Sequence, residues 1–253
     1  MSQPGVCGLK GCVVENVPDI KIRNDATTRL IIKLATRALG SENANLSVRP
    51  IPKYFTEFEW LVDYSRLREI ALSLLMKLYE EKPYEEKPLT RAETIMYSWL
   101  VSGNELRLSF ISNHNCLGLN TYGYRLRFVE VTNTKAKEEE FKFRSSVSCK
   151  YLYHGSVDQH WYGIIRNGLK NMSETALSYN GASFGHGIYC TNDWRTAMVY
   201  CKDTNPRIIC AVQTARDPES WERGIGTFVI PDARDLIVRY LILIDSDKIN
   251  AKL

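Results

Sequence analysis

Three short groups of residues between positions 153 and 200 have the types and order to hold a flat ligand. Tyr153-His154-Gly155-Ser156 reads as the end of a strand and the start of a helix. A glycine there lets a ligand approach the backbone with no Cβ in the way, so the N–H and C=O of Gly155 are the groups that would touch it. Gly181-Ala182-Ser183-Phe184-Gly185-His186-Gly187 is a glycine-rich turn feeding a strand. It lacks the Gly-Lys-Ser/Thr ending of a P-loop and does not follow the first strand of a βαβ unit, so neither phosphate-binding fingerprint applies. Tyr179, Phe184, Tyr189 and Tyr200 cluster around these glycines. Two such rings can sandwich a planar heterocycle, each stacking pair adding ~0.5–1.5 kcal/mol beyond burial. Taken singly, each group has a plainer reading: a hydrogen-bonded histidine at a strand end, a turn, and a tyrosine packing a helix.

Taken in order, from His154-Gly155-Ser156 through Gly185-His186-Gly187-Ile188-Tyr189 to Tyr200, the groups resemble the NAD-binding signature of the poly(ADP-ribose) polymerase-like ADP-ribosyltransferases, which are of the diphtheria-toxin type. The resemblance runs over residues 148–245. Trp161-Tyr-Gly-Ile-Ile-Arg-Asn-Gly-Leu169 is similar to the family's helix after His-Gly-Ser, and Val229-Ile-Pro-Asp-Ala-Arg-Asp-Leu-Ile-Val-Arg-Tyr240 to its last strand pair. More loosely, the helical first part and Arg49-Pro50-Ile51-Pro52 resemble the small mono-ADP-ribosylating members, such as the one tail-anchored in the endoplasmic reticulum. This sequence shows no tail anchor, so a soluble relative is implied.

The resemblance implies roles by position. His154 would bond an NAD ribose hydroxyl, and Gly155 would clamp the nicotinamide carboxamide through its backbone. Tyr189 and Tyr200 would hold the nicotinamide ring between them, and Ser156 would help seat the adenosine ribose. The segment from Asn171 to Tyr179 would cover the donor. Two positions depart from the family pattern. Thr227 stands where polymerising members carry a glutamate at the start of the penultimate strand. A carboxylate there can bond the nicotinamide ribose and take a proton from an incoming hydroxyl; threonine can do only the first. Ala197 stands where many relatives carry a serine that accepts the carboxamide, and loss of that bond would weaken donor binding by about 0.5–1.5 kcal/mol.

The implied activity is transfer of single ADP-ribose units from NAD to protein side chains, the protein's own included, with release of nicotinamide. NAD is the co-substrate, no metal is implied, and nucleic-acid ends are a secondary acceptor class. A different reading fits the same residues: a non-catalytic NAD or ADP-ribose binding module, silent because of Thr227 and Ala197. A third makes the helical part a protein-docking surface.

These groups need elements to position them. Residues 1–24 read as an arm, punctuated by Pro4, Gly5, Gly8, Gly11 and Pro18. From the candidate N-cap Asp25, Leu30, Ile31, Leu34, Ala35 and Ala38 recur at helical spacing up to Gly40. A second pattern from Phe58 to Leu78 breaks near Asp63 to Ser65, and Thr90 with Glu93 has capping-box spacing before a third helix. Beyond Asn104 the period drops to two, at Leu106, Leu108 and Phe110 and again at Tyr124, Leu126 and Phe128. The charged run from Lys135 to Lys142 reads as a solvated loop or hairpin. Strands follow at 149–154, 187–190, 208–214, 227–230 and 236–244, with helices after Asp158 and over 192–200. The fold class is α+β: a helical domain over 25–104, then a mixed, mainly antiparallel split-sheet domain over 105–253.

Bulk properties narrow the class. With 253 residues, one or two domains can bury a core. The net charge of +4 is spread along the chain with no basic-aromatic stripe, so charge does not point to nucleic acid. The most apolar run, Leu236 to Ile244, is too short for a membrane span and carries Arg239. No secretory leader is visible, which implies a cytoplasmic protein, with the nucleus also open and a monomer expected. Cys7, Cys12, Cys116, Cys149, Cys190, Cys201 and Cys210 form an odd set with no Cys-x-x-Cys pair, which reads as plain thiols.

Overall fold

The computed structural model describes residues 23–48, 50–56, 62–80, 88–102, 107–112, 117–120, 123–146, 150–172, 184–202 and 206–245. Residues 1–22 of the expected arm, Tyr179, Gly181 to Ser183, most of the expected donor-covering segment, and Cys7, Cys12, Cys116 and Cys149 lie outside the described residues.

The helices begin where the capping signals lie. Helix α1 (Ala26–Leu39) starts at Asp25, whose carboxylate accepts the Thr28 amide at 2.7 Å, and closes at Gly40. After the single turn α2 (Ala44–Ser47), helix α3 (Tyr64–Tyr79) starts at Asp63, which accepts the Arg66 amide at 2.9 Å. The break in the second apolar pattern is therefore a helix start, with Leu67, Ala71, Leu74 and Leu78 turned inward. Helix α4 (Arg91–Tyr97) carries the expected capping box: Thr90 Oγ1 accepts from the Glu93 amide at 3.2 Å, and Glu93 Oε2 from the Thr90 amide at 2.7 Å. Ser73 and Lys77 of α3 also donate to the Glu93 carboxylate, so this cap joins two helices as well as starting one.

Among the described residues eight antiparallel strands form one sheet: β1 (Arg107–Ile111), β2 (Arg125–Thr132), β3 (Tyr151–Gly155), β4 (Ile188–Thr191), β5 (Arg207–Thr214), β6 (Glu222–Gly224), β7 (Thr227–Ile230) and β8 (Leu236–Asp245). Their order is β1-β2-β8-β5-β3-β4-β7-β6. The long apolar strand β8 lies between β2 and β5, where both its faces are covered. Alternation splits β5 between two cores. Ile208, Cys210 and Val212 join a large cluster with α1, α3, α4 and helix α6 (Trp161–Asn167). Ile209 and Ala211 join a second cluster with helix α7 (Trp194–Met198). The buried side chains of the N-terminal helices thus belong to the same core as one face of the sheet.

One expectation is overturned. The run from Lys135 is helix α5 (Lys135–Arg144), not a loop. Thr134 caps it by accepting the Lys137 amide at 3.2 Å, and Phe141 is its one buried apolar side chain. A stripe of one residue leaves no helical period to detect. Tertiary ties hold it: Arg144 reaches Asp232 and Asp235, and Arg239 reaches Glu138.

The feature that shapes the site is an opening in the sheet. Strand β3 pairs with β5 as far as Gly155↔Ile209, yet it pairs with β4 only at Tyr153↔Thr191. Beyond that pair, His154 and Gly155 face β4 with no backbone ladder between them.

Candidate active site

The gap between β3 and β4 is bridged by a side chain. His154 Nδ1 lies 2.8 Å from the Tyr189 carbonyl oxygen. A carbonyl only accepts, so Nδ1 carries the proton and Nε2 presents a lone pair. Burial pushes the His154 pKa below its ordinary value, only partly offset by that bond, and the ring is held neutral. Strand separation and ring bond have one physical account: where the ladder stops, the Tyr189 carbonyl still needs a donor, and His154 supplies it.

Gly155 is constrained from the other side. Any Cβ at 155 would collide with the backbone carbonyl oxygen of Ala197 and lie 3.3 Å from Tyr200 Cβ. The same Ala197 oxygen accepts the Tyr200 amide at 3.2 Å in the turn that ends α7. Asp193 sets this helix by accepting from the Arg195 amide and the Thr196 hydroxyl, both at 3.1 Å. Ala197 is buried in the core beneath, while Tyr200 is 43% exposed. Gly155, Ala197 and Tyr200 therefore form one contact, with the tyrosine ring at the surface.

Tyr189 is tied at both ends. Its carbonyl holds His154, and its hydroxyl accepts the Phe184 amide at 3.0 Å while donating to the Gly185 carbonyl at 2.8 Å. The phenol thereby pins the end of the glycine-rich turn. Gly187 follows with so little room that a Cβ would come within 2.6 Å of Val229 on β7. Thr227 is the first residue of β7 and pairs with Thr191 of β4, two residues along from Tyr189. Its expected place at the start of the penultimate strand is where it stands.

Ser156 Oγ lies 3.0 Å from His160 Nδ1. His160 has its pKa lowered by burial and by the neighbouring His154. Two residues beyond Ser156, Asp158 meets Arg37 of α1 in an ion pair. Burial raises the Asp158 pKa, and Arg37 and Lys33 oppose that. The helical region thus touches the turn that carries His154-Gly155-Ser156.

Residues 112–216 match the family model of the poly(ADP-ribose) polymerase catalytic domain. Over that stretch the chain is similar to the PARP-like ADP-ribosyltransferases. Over 214 aligned residues it is 27% identical to the proteins named protein mono-ADP-ribosyltransferase PARP8 of Mus musculus and of Homo sapiens, an alignment covering 75% of this chain and 25% of each relative. This PARP-like chain spans about a quarter of the length of the curated relatives it matches. The matched stretch includes His154, Gly155, Ser156, Tyr189, Ala197 and Tyr200 and stops before Thr227, which is assigned through its position on β7.

Sequence reasoning missed several residues around the site of this PARP-like protein. His160 stands four residues after Ser156, a spacing that signals contact within one helical turn. Glu222 and Asn192, which hold the peptide before Thr227, gave no local signal beyond the Gly-x-Gly at 224–226 that marks a tight turn. Cys190, Cys201 and Cys210 are buried free thiols. Burial pushes their pKa values up, to about 11 for Cys201, so they are unreactive. Among the described residues no group of three or more His, Cys, Asp or Glu side chains is placed to hold a metal ion, and no helix is long and apolar enough to cross a membrane.

Proposed function

We propose that this chain transfers single ADP-ribose units from NAD to protein side chains, its own included, with release of nicotinamide. The observation that carries the reading is the neutral His154 ring, held by the Tyr189 carbonyl beside the exposed Gly155–Tyr200 contact. NAD brings a ribose bonded to an already cationic nicotinamide, so the C1′–N bonding pair can leave with the ring and neutralise it. The site therefore has to bind and orient more than it has to attack, and the acceptor supplies the new bond to C1′.

The residues present fit that task. His154 Nε2 is an acceptor for a ribose hydroxyl, because its partner nitrogen is committed to the Tyr189 carbonyl. Gly155 offers backbone groups beside the ring of Tyr200, and Tyr189 supplies a second ring with its hydroxyl already anchored. Ser156 is the seat for the adenosine ribose. Ala197 offers no hydroxyl to the carboxamide, which leaves the Gly155 backbone as its main anchor. Thr227 can bond the nicotinamide ribose, but its hydroxyl is too weak a base to activate a second sugar hydroxyl, so each site takes one unit. The names of the two curated relatives agree with transfer of single units. The helical region over 25–104, touching the donor side through Arg37 and Asp158, would take part in partner recognition.

The test is to incubate the purified chain with NAD, measure nicotinamide release, and examine the protein by mass spectrometry. Wild type should release nicotinamide and gain single ADP-ribose units, whereas His154→Ala and Tyr189→Ala should lose at least ten-fold in rate, about 1.4 kcal/mol. A second reading is favoured by Thr227 and Ala197, which remove a carboxylate and a hydroxyl: a binding module without turnover. Calorimetric binding of NAD with no release of nicotinamide selects it, and chains of ADP-ribose refute the single-unit reading.

A further inference from the structure

We propose that Glu222 is a positioning residue for Thr227, acting through the amide of Gly226; this rests on the reading of Thr227 given above. Thr227 opens a four-residue strand after the turn Gly224-Ile225-Gly226. Two glycines give that turn little order of its own, and Ile225 at its tip is fully exposed. A strand end of this kind frays unless both its backbone groups are held. Both are held at Gly226. Glu222 Oε1 accepts the Gly226 amide at 3.0 Å, and the Gly226 carbonyl accepts the Asn192 amide at 3.2 Å.

The two grips come from the two neighbours of Thr227. Glu222 lies on β6, where Gly224 pairs with Thr227. Asn192 directly follows Thr191, the residue of β4 that pairs with Thr227 on its other side. Gly226 has φ +68°, and a Cβ there would come within 2.5 Å of Asn192 Oδ1, so the position favours glycine. Glu222 is itself well fixed: it ends the 3₁₀ turn Pro218–Trp221, and Trp221 is buried in the large core. Among the described residues its carboxylate forms no ion pair, and it accepts from this amide. The clamp thus ties the Thr227 hydroxyl to β4, the strand that also supplies the Tyr189 ring and the carbonyl holding His154. A threonine is short and has one rotor, so the place of its hydroxyl follows the place of its backbone.

The inference is tested with Glu222→Ala, Glu222→Gln, Thr227→Ala and the Glu222→Ala/Thr227→Ala double variant. In the absence of NAD, NMR hydrogen exchange at residues 226–228 should speed up in Glu222→Ala and stay slow in Glu222→Gln, whose amide oxygen still accepts. With NAD as probe and nicotinamide release as readout, Glu222→Ala should lower kcat about five-fold with KM changed less than about two-fold. That split marks an interaction stronger in the transition state. Glu222→Gln should restore kcat, and the double variant should be no slower than Thr227→Ala. Unchanged exchange in Glu222→Ala, a Gln variant as slow as the Ala variant, or effects that add in the double variant would each overturn the inference while leaving the activity intact. A wild type that releases no nicotinamide, or a Thr227→Ala chain equal to wild type, removes the underlying reading and the inference with it.

Discussion

At the scale of single residues, Gly155 and His154 would divide the work of the proposed site between space and protons. Gly155→Ala is expected to abolish NAD binding and to lower the melting temperature, because the new Cβ collides with a backbone carbonyl that cannot swing away. Calorimetry and a thermal melt on the same sample check both. For His154, the folded-state pKa lies below the ordinary value of 6.5, so the unfolded chain binds more protons over the interval between the two. Its contribution to stability is full above about pH 6.5 and is lost as pH falls through the folded pKa. His160 adds in the same direction. The melting temperature should fall on acidification from about pH 7 to pH 5, and His154→Gln should flatten that dependence. Activity should fall over the lower part of the same range, since a protonated Nε2 can no longer accept a ribose hydroxyl. His154, Gly155, Tyr189 and Tyr200 form a pattern of types and spacing in the sequence, and that pattern is what nominates them for the proposed site. The bond from His154 to the Tyr189 carbonyl was not legible there, since it depends on how two strands part.

At the scale of elements, α5 shows what patterning leaves hidden. Phe141 is its one buried apolar side chain, Phe143 standing exposed, and the information that makes it a helix is spread over the Thr134 cap and remote ion pairs. Arg144 is the main tie, donating to Asp235 at 2.9 Å and to Asp232 at 2.9 Å. Bonds from Arg234, with Arg144 nearby, hold the Asp232 carboxyl down at about 2. Asp235 is almost wholly buried, so removing Arg144 leaves it, among the described residues, with Arg216 as its cation at 3.6 Å. Arg144→Ala is therefore expected to cost about 2 kcal/mol in urea unfolding, more than an exposed surface pair would. An unchanged midpoint would show that Arg216 or water replaces it fully. The capping box at Thr90 is the opposite case: its two partners lie three residues apart, so the helix start was visible in the sequence and the structure keeps it.

At the scale of the whole molecule, the N-terminal helices and the sheet share one core. Leu34 and Leu74 are fully buried in the cluster that also holds Leu152, Trp161 and Leu241. Leu34→Ala should destabilise the protein by ~2–5 kcal/mol, and near- and far-ultraviolet circular dichroism should melt together, since the helices bury their side chains in the same cluster as the sheet. Two separate transitions would contradict the shared core. The sequence alone determined the α+β order, the helix starts at Asp25 and Thr90, and the run of residues that marks the family, because each is encoded by neighbours within a few positions. Tertiary structure decided the rest: the parting of β3 from β4, the pressing of Ala197 onto Gly155, the clamp on Gly226, and the common core. These depend on residues far apart in the chain meeting across strands, and no local period or spacing records which of them will meet.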